Sequence, residues 1–370
     1  MKNKITKTHF WLSVILLLVV VLFFTVPEIL SSKILNEDGN VINEIKKILS
    51  IPVLPPLDTV AYDKKMDELA NNPVPKVVQP KIDPKTNKPI PPPPPKPNLW
   101  PVKTVYPNAG AILPFNRIVA YYGNLYSKNM GVLGQYTEDK MLAKLDAEVK
   151  KWTEADPTTP ALPALHYITV VAQESPGPDG KFRIRMPDSE INKIVAMAKK
   201  INGIVFLDVQ VGLSTLEEEI PLLEKYLKMP EVNVGIDPEF SMKTGIRPGK
   251  VVGTYDAIDI NFVANYLAEI VKENNLTPKI LVIHRYTQKM VTNYGEIKPL
   301  LEVQIVMDMD GWGMAEKKLD TYQQFIYKEP VQFTGFKLFY KNDTLTPGTV
   351  LMTPKDLLKL IPRPIYIQYQ

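Results

Sequence analysis

Beyond Tyr106 the chain alternates between short apolar runs and longer stretches whose apolar residues recur at helical spacing. Strands are predicted over 117–123, 165–172, 203–211, 232–237, 279–285, 303–309, 334–339 and 365–370. Helices are predicted between them over 138–155, 188–201, 217–227, 256–274, 314–326 and 354–360, with an irregular return over 290–300. In the first of these helices Met141, Leu142, Leu145, Val149 and Trp152 share one face. Apolar strands separated by amphipathic helices predict an α/β fold with parallel strands covered by helices. Eight such units suit a closed (β/α)8 TIM barrel, which takes about 250 residues. An open doubly wound sheet is the other arrangement. It is disfavoured because Gly123, Gly131 and Gly134 do not give the GxGxxG spacing after the first strand.

The pattern differs before the barrel. Lys2, Lys4 and Lys7 precede an uncharged run from Phe10 to Val26, interrupted only by Ser13 and Thr25. A helix of that length spans roughly 26 to 30 Å, close to a bilayer core. The lysines favour a cytoplasmic N-terminus, which predicts a single-pass signal-anchor with an extracytoplasmic C-terminal domain. The exit at 26–32 lacks a small-residue cleavage site, so retention is expected over cleavage. Val41, Ile42, Ile45, Ile48 and Leu49 form a helical stripe, and a further helix is expected over 61–70. The proline-rich stretch that follows includes the run Pro91 to Pro95 and is expected to form neither helix nor sheet. It reads as an extended spacer of about 3 Å per residue. The expected domains are therefore 1–30 (cytoplasmic tip and anchor), 31–70 (stalk), 71–102 (linker) and 103–370 (barrel).

Composition narrows the function. A net charge of +4 from 44 basic and 40 acidic residues is too balanced for a nucleic-acid footprint. The chain has no cysteine, which excludes disulfides, thiolate chemistry and cysteine-ligated metals. No cofactor is expected, and the leading reading includes no metal.

In such a barrel the site forms at the C-terminal ends of the strands. Tyr121, Tyr122, Asp208, Gln210, Asp237, Glu239, His284, Arg285, Asp308, Asp310, Trp312, Lys337 and Gln368 all fall at or just beyond those ends. Carboxylates with aromatic neighbours suggest a glycoside hydrolase acting on cell-envelope glycan or another surface polymer. On that reading Glu239 or Asp237 is the acid and Asp308 or Asp310 stands opposite, while Asp208 orients substrate or tunes a neighbour. Tyr121, Tyr122, Gln210, His284, Arg285, Trp312, Lys337 and Gln368 would bind substrate. For Asp237, followed by Pro238, the structural alternative is a helix cap. His166 is expected at the barrel bottom, leaving His284 as the histidine placed for chemistry. Two other functions fit the same rim. One is a metal-dependent hydrolase or deacetylase using Asp237, Glu239, His284 and Asp308, although one histidine supports a zinc centre poorly. The other is a non-catalytic barrel that binds glycan or protein.

Segments 120–124, 131–134, 207–210, 235–239, 282–284 and 335–340 resemble a group of uncharacterised bacterial cell-surface and lipoprotein-like proteins. The resemblance implies an exported barrel and transfers no catalytic role. The chain is also broadly similar to glycoside-hydrolase barrels. It lacks the DxxDxDxE run of the chitinase-like family, since residues 204–211 contain only Asp208.

Overall fold

The computed structural model describes residues 54–74 and 97–370, with the backbone of Lys81–Ile82 and Pro89–Ile90. The expected membrane helix and the stripe over 41–49 lie outside the described residues. Among the described residues no helix is long and apolar enough to cross a membrane. The body analysed below runs from Pro55 to Gln370.

Its centre is a closed parallel barrel of β1 Arg117–Gly123, β2 Ala161–Ala172, β3 Ile204–Val209, β4 Val232–Ile236, β5 Lys279–Arg285, β6 Val303–Met309, β7 Phe333–Leu338 and β8 Tyr366–Tyr369. Each strand pairs in parallel with the next, and β8 closes on β1 with Tyr369 beside Tyr121. This is a (β/α)8 TIM barrel, and closure excludes the open sheet. The short strand Arg183–Arg185 adds antiparallel to the far end of β2.

The covering helices follow the apolar periodicity. Helix α2, Glu138–Ala155, buries Met141, Leu142, Leu145 and Trp152. Helix α3, Asp188–Lys200, buries Ile191, Ile194, Val195, Met197 and Ala198. Helix α4, Ala257–Asn274, starts with a capping box between Asp256 and Asp259. The single helix expected over 217–227 is instead three short turns, Leu216–Glu219, Pro221–Leu223 and Glu224–Leu227. Pro221 lacks the N–H that a continuous helix would need there.

The barrel interior can be assigned by parity. Successive strand residues face opposite sides. Ile118, Ala120, Ala164, Ile204, Phe206, Ile280, Val282, Val306 and Tyr366 form an inner apolar cluster. Continuing each series by two toward the C-terminal ends reaches Tyr122, His166, Asp208, His284, Asp308 and Gln368. The lower interior is thus apolar and the upper interior polar.

Helix α1, Thr59–Ala70, closes the bottom. Asp58 caps it by accepting from the Ala61 N–H at 2.9 Å. Tyr62, Met66 and Leu69 pack into the inner cluster beside Leu113, whose backbone N–H and carbonyl both meet the Gln304 amide at 3.1 and 2.7 Å. The Arg363 N–H donates to Leu69 O at 2.7 Å, and Lys65 Nζ donates to Thr158 O at 2.9 Å. Residues 59–70, expected in the stalk, are therefore part of the barrel body. The stretch expected as a spacer has Asn72 Nδ2 donating to Trp100 O at 2.6 Å between its described ends. It also contains a minimal antiparallel pairing of Lys81–Ile82 with Pro89–Ile90, where no sheet was expected.

Candidate metal centre and the cavity above it

Two tiers of polar residues occupy the upper barrel. In the lower tier His166, Asp208 and His284 are fully buried. His166 Nε2 and His284 Nε2 approach the same atom, Asp208 Oδ1, at 3.2 and 3.3 Å. None of these three atoms has an aligned hydrogen-bond partner among the described residues. Each imidazole turns its other nitrogen elsewhere. His166 Nδ1 lies 2.6 Å from the Tyr366 hydroxyl and 3.2 Å from Gln368 Nε2. His284 Nδ1 faces Asp310 Oδ2 at 3.2 Å and Asp308 Oδ2 at 3.4 Å.

That geometry fits a cation site. Atoms about 2.0 to 2.2 Å from a tetrahedral ion lie roughly 3.3 to 3.6 Å apart. The separations to Asp208 Oδ1 are close to this edge, and a carboxylate behind the second nitrogen of a histidine is a common way to aim the first at a metal. The three ligand atoms lie within 4.8 Å of one another. Gly235 leaves the space open, because a Cβ there would sit 2.4 Å from His166 Nε2 and 2.5 Å from Asp208 Oδ1.

Electrostatics show what the cluster demands in the absence of an ion. Burial alone would neutralise His284, but the carboxylates of Asp208 and Asp310 outweigh it and hold its pKa well above the usual histidine value. Burial lowers His166 to about 4, which leaves it neutral. Burial would raise the Asp208 pKa, yet the two imidazoles outweigh burial and hold it below the usual carboxylate range. Positive charge beside Asp208, as a proton on His284 or as a metal ion, balances its carboxylate.

The upper tier forms the base of a cavity of about 460 Å³ at the barrel mouth. Tyr122, Gln210, Asp237, Glu239, Tyr286, Asp310 and Lys337 line it, with Phe240, Trp312 and Lys317 on its walls. The tiers are joined through Asp208 Oδ2, which accepts from the Tyr122 hydroxyl at 3.0 Å. They are joined again by Asp310, which pairs with Lys337 Nζ at 2.9 Å while facing His284. Lys337 Nζ also sits 3.9 Å from the Tyr122 ring centroid. Burial raises the Glu239 pKa, Asp310 raises it further, and the Tyr286 hydroxyl bonded to it acts in the opposite direction. Burial also pushes Asp310 upward, but Lys337 and His284 prevail and lower it. Asp237 is raised well above the carboxylate range, mainly by burial. It also caps the turn Pro238–Phe240 by accepting from the Glu239 N–H at 3.0 Å, the structural role anticipated for it.

Of the residues expected at the rim, Tyr122, Gln210, Asp237, Glu239, Asp310, Trp312 and Lys337 meet at the cavity. Asp208, His284, Asp308 and Gln368 lie inside the barrel, fully buried beneath it. Gln368 donates to the Tyr366 hydroxyl at 2.8 Å and so braces the support of His166 rather than facing the mouth. Two residues point out of the barrel. Tyr121 has the opposite parity to Tyr122 and meets the Tyr340 hydroxyl at 3.1 Å. Arg285, next to inward-facing His284, pairs with Glu329 at 2.5 Å and donates to the carbonyls of Phe325 and Val291.

His166 is the residue that sequence reasoning misplaced. It stands in the middle of β2, beside Phe206 of β3 and Tyr122 of β1, not at the bottom. The parity shared with Ala164 was the available signal. The candidate ligand set is accordingly His166, Asp208 and His284, in place of Asp237, Glu239, His284 and Asp308.

No family model matches this chain, and no curated protein matches it. Among solved structures, the chain is similar to the crystal structure of a ruminal GH26 endo-beta-1,4-mannanase, at 12% identity and a TM-score of 0.34. The match covers 68% of this chain and 58% of that one, so the chain spans less than two thirds of the mannanase. The barrel assignment rests on the strand pairings of this chain itself.

Proposed function

We propose that this protein is a metal-dependent hydrolase that works on a polar substrate at the barrel mouth, with His166, Asp208 and His284 holding one divalent ion. The observation that supports it is the convergence of two imidazole Nε2 atoms on Asp208 Oδ1, all three without aligned hydrogen bonds among the described residues. A divalent ion bound there supplies Lewis acidity and lowers the pKa of a bound water. The chain supplies the rest. Asp310 and Tyr366 orient the imidazoles, Tyr122 joins Asp208 to the cavity, and Glu239 brings to the cavity a carboxyl whose pKa burial raises.

A second reading has its own support. Glu239 and Asp310 face one cavity in opposite surroundings, one beside the Tyr286 hydroxyl and the other paired with the Lys337 ammonium. Such a pair suits the acid and base of a glycoside hydrolase that needs no metal. The two readings separate in one assay, in which purified cell-wall and acetylated glycans are incubated with the protein and released sugars and acetate are measured. Loss of release on chelation and in His284→Ala, with recovery on adding a divalent ion, supports the metal reading. Release that ignores chelator but disappears in Glu239→Gln or Asp310→Asn contradicts it and supports the second. Retention on the glycan without release moves the function to a binding barrel.

The apolar run Phe10 to Val26 behind three lysines supports placing this activity outside the cytoplasm on a single-pass anchor.

A further inference from the structure

Above the carboxylates, one wall of the cavity is built differently from the floor. Trp312 lines the cavity yet is 51% exposed, which is unusual for so large an apolar ring. Lys317 Nζ stands 5.0 Å from the ring centroid and lines the same wall. Tyr286 and Phe240 also line the cavity. The floor below carries hydrogen-bonding groups, Gln210, Asp237, Glu239, Asp310, Lys337 and the Tyr122 hydroxyl, with Ile168, Ala172 and Phe339 also in the lining.

The geometry points to a glycan of uncharged sugar rings as the ligand of this cavity, one ring stacked on Trp312 and a neighbouring ring held by the polar floor. The inference deepens the hydrolase reading by naming its substrate class. A sugar ring has an apolar C–H face that suits the negative face of an indole, and an edge of hydroxyls that suits carboxylates and amides. An apolar ligand would offer nothing to the polar groups of the floor. A phosphorylated ligand would meet Asp237, Glu239 and Asp310, with Lys337 already committed to Asp310 and Lys317, over the Trp312 ring, the other ammonium of the lining. Trp100 and Trp152 are buried, which makes Trp312 the exposed tryptophan among the described residues.

The test is a fluorescence titration of the purified full chain and its Trp312→Phe and Trp312→Ala variants. The probes are neutral β-linked oligosaccharides (cello-, manno- and chito-oligosaccharides) and a phosphorylated oligosaccharide. The Trp312→Phe trace isolates the signal of Trp312. Saturable binding of at least one neutral series, absent for the phosphorylated probe and weakened about ten-fold or more in Trp312→Ala, is expected. No saturable change with any neutral series, equal binding of the phosphorylated probe, or unchanged affinity in Trp312→Ala overturns the assignment. Elemental analysis of the same samples keeps the two ideas apart. Metal present without sugar binding overturns the glycan assignment alone, whereas sugar binding without metal supports it and overturns the metal reading.

Discussion

Gly235 shows how closely a single atom controls the candidate centre. Its missing Cβ is the space into which His166 Nε2 and Asp208 Oδ1 project. Gly235→Ala is therefore expected to push these two groups apart and abolish ion binding, measured by calorimetric titration with zinc and manganese. An unchanged affinity would mean that no ion sits there. Tyr366→Phe removes only the hydroxyl behind His166 Nδ1, and the same titration is expected to show affinity weaker by roughly 10- to 100-fold. Part of this site was legible from residue identity, since Asp208 and His284 were singled out, though only His284 as a metal ligand. Asp208 with Gln210, and Asp308 with Asp310, share the inner face, one residue of each pair standing deeper than the other. Tyr121 and Arg285 were misread because each adjoins an inward residue, and an alternating strand cannot send both into the barrel. His166 was missed because Pro163 breaks the strand pattern, so β2 was read as starting at Leu165 when it starts at Ala161.

Helix α1 demonstrates what sequence periodicity leaves hidden at the scale of elements. Its apolar residues are few, and the surface that buries them is the barrel bottom, which exists only once all eight strands have closed. A fragment of residues 103–370 would lack this helix and expose Leu113 and its neighbours. It is expected to unfold at a lower temperature than residues 55–370 in a thermal melt, and an equal melting temperature would contradict the packing assigned to α1. Met66→Ala in the longer fragment is expected to cost about 2 to 5 kcal/mol in urea unfolding. A second element depends on charge. Glu219, fully buried, accepts from Arg183 at 2.7 Å, from Arg185 at 2.6 Å and from the Ser214 hydroxyl at 2.6 Å, tying the strand Arg183–Arg185 to the loop after β3. Burial opposes its charge, but these partners prevail and hold its pKa below the ordinary 4.5. A carboxylate depressed in the folded state stabilises the fold above its unfolded pKa, and that stability is lost as the pH falls through the folded pKa. Wild type is thus expected to lose more stability than Glu219→Gln between pH 7 and the acid side of 4.5, followed by urea unfolding at each pH. Parallel losses would show that the network contributes nothing through ionisation.

For the whole molecule, the alternation of apolar runs and helical stripes was enough to specify the barrel, since all eight strands were anticipated within a few residues. The sequence could not specify depth. Which acidic groups reach the cavity and which lie beneath it depends on strand stagger, and the two-tier arrangement follows from that stagger. The account stands on the lower tier being a metal centre, and the most direct measurement is elemental analysis of the purified full chain beside His166→Ala and His284→Ala. Close to one equivalent of a divalent transition metal in the wild type, lost from both variants while their circular dichroism is retained, is the predicted result. Wild-type protein that carries no metal, and takes up none after dialysis against zinc or manganese, would contradict it and leave His284 as a buried imidazolium among aspartates.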